Sequence, residues 1–201
     1  MQYSPQGFGM LPSAVKHLII INIIAYLGTY VLERQGMFMI TNSLALWSFA
    51  SGNFHIWQLV TYMFMHANFS HLFFNMFALW MFGCVLENYW STRRFLIYYF
   101  VCGIGAGLIN ALIPGGLTVG ASGAVYGLLL AFAMLFPNER IYLYFLVPIK
   151  AKWFVIGYAV LELMQGVLGT ADHVAHFAHL GGMLFGLLLI LYWRKHPYGR
   201  F

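Results

Sequence analysis

The sequence predicts an all-α fold: a polytopic membrane bundle of six transmembrane helices, with an interfacial loop between helices 1 and 2. Three observations predict it. The 201 residues are 62% hydrophobic and 7% charged, against roughly 25% charged residues in a soluble domain. The apolar residues form six runs of about 15–22 residues, each bounded by charge, proline or glycine. The basic residues sit between those runs and form no stripe, so the net charge of +5 does not indicate a nucleic-acid partner.

Taken in order, span one covers about residues 15–32, after a tail at about 1–14. Its apolar run, LIIINIIAYLGTYVL, has no small-x-small cleavage site at its end, so it reads as a retained span rather than a signal peptide. Residues at about 34–68 are amphipathic and rich in Met, Trp and Phe, which suits an interfacial loop with short helices. Span two is expected at about 69–90 and span three at about 95–113. Span four, at about 122–136, is short and follows the glycine-rich IPGGLTVGASG, so it is expected to begin beneath the membrane surface. A connector at 137–151 carries a short apolar stretch suited to the interface. Spans five and six fall at about 152–170 and 173–193, with Gly169 and Asp172 marking the turn between them. A tail at 194–201 completes a chain read as one domain, 1–201. Cys84 and Cys102 lie inside apolar runs and read as small buried hydrophobes rather than a disulfide.

Orientation follows from the ten Lys and Arg residues. With both termini cytoplasmic, every one except Arg34 lies on the inner side. Spans two, four and six then all run from outside to inside. His71 and Asn75 occupy the outer turns of span two, Ser122 opens span four, and His173, His176 and His179 occupy the outer turns of span six. Three helices thus bring polar groups to one level.

Spacing sharpens this. His71 and Asn75 are four residues apart and share a helix face. Gly123 and Gly127 on span four, and Ala178, Gly182 and Gly186 on span six, form small-residue ridges that allow close helix approach. Such an approach brings Ser122 to His179, and a serine beside a histidine is a minimal activated nucleophile. Asp172 lies about two turns from His179, and Glu162 falls mid-span at a different depth, so a Ser–His dyad is expected rather than a triad. Tyr126, one turn after Ser122, is positioned to pack on the His179 ring. The Ser122 N–H at a helix N-terminus, with His71 and Asn75, would supply donors for an oxyanion. His173 and His176 are left as surface or supporting groups.

At these residues the chain resembles the rhomboid family of intramembrane serine proteases, in the compact six-span form typical of bacteria. GASG (120–123) is similar to the family's G-x-S-G, AHLGGMLFG (178–186) to its A-H-x-x-G segment, and HANFSHLFFN (66–75) to its H-x(4)-H-x(3)-N segment. The resemblance implies that Ser122 is the nucleophile, His179 the base, and His71 and Asn75 the oxyanion groups. It implies a structural role for His66 and for the supporting residues Gly120, Tyr126, Gly123, Gly182 and Gly186, and a helix-packing role for Glu87. One departure is visible: many members carry Trp-Arg in the first loop, where this chain has Trp57-Gln58. The implied activity is cleavage of transmembrane segments near their outer end through an acyl-enzyme, with no metal and no cofactor. The implied partners are the bilayer and single-span membrane proteins bearing small or helix-destabilising residues, and the implied site is a bacterial cytoplasmic membrane. Two rival readings remain: an inactive relative that binds membrane clients, and a metal or haem protein using the five histidines of spans two and six. The second leaves Ser122 unexplained.

Overall fold

A computed structural model describes residues 11–114, 117–143, 146–168 and 175–196 of the chain. Helix α1 (Ser13–Arg34) begins after Pro12. Short helices α2 (Phe38–Leu44) and α3 (Gln58–Thr61) punctuate the first loop. Helices α4 (Phe69–Ala78) and α5 (Cys84–Trp90) are joined through a π-helical turn at Leu79–Gly83, so the second span is one continuous rod with an interrupted centre. Then follow α6 (Thr92–Ala111), α7 (Ser122–Leu135), α8 (Ala151–Leu168) and α9 (His176–Lys195). Among the described residues, five rods are long and apolar enough to cross a membrane, the α4–α5 pair counting as one. Helix α7 has 14 residues. At 1.5 Å per residue that is ~21 Å, against a hydrocarbon core of ~30 Å, as its glycine-rich approach predicts. The chain is a multi-pass integral membrane protein. Gly169, Asp172 and His173 lie outside the described residues.

Glycine sets how closely the central helices pack. A Cβ on Gly182 of α9 would lie 1.9 Å from the Gly123 carbonyl oxygen of α7, so the two backbones touch there. Gly127 faces both Gly182 and Cys102 of α6. The expected ridge holds except at Gly186, which faces Tyr98 and Cys102 of α6 rather than α7. The α7–α9 crossing is thus fixed near the first turns of both helices, beside Ser122 and His179.

The first loop docks against the end of the bundle where α7 begins. Leu46 and Thr118 exchange both backbone hydrogen bonds, each 2.9 Å, and the Gly120 N–H donates to the Tyr62 carbonyl at 2.9 Å. The loop therefore holds the segment that leads into Ser122. Gln58 organises the loop itself. Its Oε1 accepts from the backbone N–H of Trp47 and His55, and its Nε2 donates to the carbonyls of Ser43 and Asn53. The glutamine thus knits the loop at the position where the sequence departs from the Trp-Arg of the family it resembles. The 137–151 connector is not an irregular linker: Arg140–Leu143 and Val147–Lys150 form an antiparallel hairpin, β1 and β2.

Glu87 ties the opposite end. Its carboxylate accepts the backbone N–H of Ala14 and of Val15 at 2.9 Å each, and the Thr92 hydroxyl at 2.7 Å. The first turn of a helix has no internal acceptors for its N–H groups, so one buried carboxylate caps α1 from a neighbouring span. Glu87→Ala should lower stability by roughly 2–3 kcal/mol, from three charged hydrogen bonds lost and two buried backbone donors orphaned. A thermal melt in detergent measures this, and an unchanged melting point would refute the capping role.

Candidate active site

Ser122 is the first residue of α7. The loop before it turns through Gly120, whose φ of +127° is open to glycine at little cost. A Cβ there would also sit 2.7 Å from Nε2 of His71, so the missing side chain lets that imidazole stand beside the serine. His179 lies in the first turn of α9, and its Nε2 is 2.8 Å from Ser122 Oγ. The Tyr126 ring stacks on the His179 ring at 4.2 Å between centroids and 6° between planes. The expected contacts of Ser122, His179 and Tyr126 are all present.

A carboxylate stands where none was expected. Glu162 Oε2 is 3.0 Å from His179 Nδ1 and 2.7 Å from His176 Nδ1. Its other oxygen accepts the Tyr126 hydroxyl in a short hydrogen bond. The His179 contact has ion-pair length but lies off the line of a hydrogen bond, and His176 shares the same oxygen. These contacts correct the expected depth mismatch: Glu162, on α8, reaches the level of His179. His176, left as a surface or supporting group, is buried against this carboxylate. The Ser122–His179 contact thus has a carboxylate on the far side of its imidazole. The signal for Glu162 was present in the sequence: an ionisable residue inside a span needs a partner.

His71 and Asn75 approach from α4. Asn68 caps that helix, its side chain accepting the His71 N–H at 2.8 Å. Asn75 Nδ2 donates to the His71 carbonyl at 2.8 Å, so one of its two N–H groups is committed within the helix. His66 packs edge-on against the His71 ring, 5.1 Å between centroids. Burial, with His71 beside it, pushes His66 down to about 4, which keeps it a neutral spacer at physiological pH.

Ser122 stands in the wall between two cavities. One, of about 670 Å³, is lined on its polar side by Asn68, Ser70, His71, Thr118 and His179. The other, of about 490 Å³, lies between α4 and α8 and is lined mainly by Phe74, Met81, Phe154 and Tyr158, with Asn75 and Tyr126 near the serine. The site thus meets a cavity with several polar groups on one side and a more apolar one on the other.

Comparison with known proteins assigns a family. The Rhomboid domain family model matches residues 53–196, which include every site residue named above. The chain is 34% identical over 192 residues to Rhomboid-like protein 11, chloroplastic, of Arabidopsis thaliana, covering 90% of this chain and 65% of that protein. It is 31% identical over 147 residues to Rhomboid-like protease 3 of Toxoplasma gondii, covering 73% and 55% respectively. It is 30% identical over 180 residues to the Bacillus subtilis protein YdcA, provisionally named a rhomboid protease, covering 81% and 87%. The chain spans 65% or less of the plant and Toxoplasma relatives it matches and most of the bacterial one. On the family match and on these identities, the chain belongs to the rhomboid family.

Proposed function

We propose that the chain is an intramembrane serine endopeptidase that cuts transmembrane segments near their outer end. The observation that carries this reading is the 2.8 Å contact between Ser122 Oγ and His179 Nε2, set between a polar and an apolar cavity. A substrate segment enters from the apolar side, between α4 and α8, and water enters from the polar side. A segment rich in small or helix-breaking residues unwinds there more easily, because a stable helix keeps its carbonyls in internal hydrogen bonds.

His179 Nε2 takes the Oγ proton as Oγ bonds to the carbonyl carbon of the scissile peptide. The oxygen that gains charge is met by the Ser122 N–H, by His71 and by the remaining N–H of Asn75. His179 then passes its proton to the departing amine as the C–N bond breaks, leaving an acyl-serine. A water deprotonated by the same imidazole cleaves that ester. Glu162 faces the proton on Nδ1 and offsets the positive charge on the ring at each transfer. The charge distribution supports an orientation with both termini cytoplasmic and the site opening outward, in a bacterial cytoplasmic membrane.

The test is covalent. A fluorophosphonate probe should label the full chain once, at Ser122, and labelling should disappear in Ser122→Ala. Absence of labelling on folded wild-type protein, or labelling at another serine, overturns the reading. A client-binding relative without an activated serine would not react.

A further inference from the structure

We propose that Glu162, His176 and His179 form an inhibitory site for Zn²⁺ or a similar divalent cation, which silences the enzyme by occupying the Nδ1 side of its base. Inhibition rests on the protease reading above; metal binding does not.

One ligand atom from each of the three residues lies within 4.8 Å of the other two, and no second such group exists among the described residues. The three residues are 5%, 6% and 8% exposed, in the order Glu162, His176, His179. Two imidazole nitrogens and one carboxylate oxygen form a donor set that Zn²⁺ adopts when a fourth position stays open to water. Around tetrahedral Zn²⁺, donors at 2.0–2.1 Å lie roughly 3.3 Å apart. The Oε2 to Nδ1 distances are 2.7 and 3.0 Å, near that spacing, and the third pair lies within 4.8 Å.

A second observation points to a ligand. One carboxylate oxygen serves two imidazoles, and the buried Nδ1 of His179 is left without an in-line partner. A buried polar atom in that state is costly. A cation would take both nitrogen lone pairs and the carboxylate together. One of the three residues, His179, lines the larger cavity together with Ala175, which gives the cluster a neighbouring space.

The consequence follows from coordination chemistry. A cation on Nδ1 takes that nitrogen's lone pair and diverts the Glu162 charge to itself. The one proton of the neutral ring then sits on Nε2, which has no lone pair left to accept the Ser122 proton. Only this tautomeric proton moves, so removing the ion lets it return to Nδ1 and restores activity.

The experiment uses the full chain in liposomes with a model transmembrane substrate. Zn²⁺ should inhibit cleavage, and a chelator should restore it. His176→Phe should retain cleavage, because His176 shares an oxygen with His179 rather than holding that ring. Its half-inhibiting Zn²⁺ concentration should rise at least ~100-fold, the upper range for loss of even a supporting group at a metal. His176→Asn, closer in size and polarity, should behave alike if the phenylalanine impairs folding. In parallel, Ser122→Ala protein is titrated with Co²⁺ and read by visible ligand-field absorption. About one tetrahedral ion per chain is expected, and none when His176→Phe is added. Equal Zn²⁺ inhibition of the wild type and both His176 variants, or no saturable Co²⁺ signal, overturns the proposal. A Co²⁺ signal in a chain that never cleaves supports the metal site and sinks the protease reading instead.

Discussion

Ser122→Ala and His179→Ala are each expected to reduce cleavage of a reconstituted transmembrane substrate by at least ~10⁴-fold, the scale seen when a serine hydrolase loses its nucleophile or base. Both side chains meet at 2.8 Å, and neither helix depends on that contact. Alanine favours α7 as a helix former, and the α7–α9 crossing is held by Gly123 against Gly182. The loss of one hydrogen bond costs only about 1 kcal/mol, so melting in detergent should change little. The double variant should be no worse than either single one, since the two residues act as a unit. Cleavage at wild-type rate by either purified variant would remove the basis for the assignment.

The residues that drive this result were legible in the sequence for a physical reason. A membrane imposes depth. Once the spans and their directions are set by hydropathy and by the basic residues, each polar group acquires a level, and His71, Ser122 and His179 coincide. Glycine spacing supplied the lateral contact, because in lipid close approach requires small residues rather than apolar ones. Gly123 and Gly182 meet as expected, and the short α7 followed from its glycine-rich approach.

What was not legible depended on how neighbouring helices stand and how loops bond. Glu162 looks mid-span by hydropathy, yet its carboxylate reaches His176 and His179. Hydropathy marks a span's extent and says nothing of its depth relative to the helix beside it. The hairpin of Arg140–Leu143 and Val147–Lys150 was hidden for a related reason: four-residue strands leave too short a pattern to read. Gln58 illustrates the loop problem. Its four hydrogen bonds reach residues up to 15 positions away, and no periodicity records that.

Glu162→Ala is the second large effect. It should lower kcat by roughly 10²–10⁴-fold with little change in KM, the range expected when a histidine base loses the carboxylate that orients and stabilises it. The lower end is favoured because the Nδ1 contact is off-line and shared with His176. Glu162→Gln should fall between, since an amide oxygen still accepts from Tyr126 while the negative charge is gone. The rate of fluorophosphonate labelling should fall in step with kcat, as both require Nε2 to take the Ser122 proton. A merely structural glutamate predicts otherwise: the melting point drops, but the folded fraction labels and cleaves at the wild-type rate, and that outcome would leave Ser122 and His179 acting alone. The physical case for a role in the chemistry is the setting. A carboxylate inside a span is expensive to desolvate, and only five acidic residues occur in the whole chain. Glu87 offsets that cost by capping α1. Glu162 offsets it through Tyr126 and two imidazoles, one of them the ring whose other nitrogen touches the nucleophile. When that ring takes the serine proton it becomes a cation in a medium that solvates cations poorly, and Glu162 is the neighbouring charge in place to balance it.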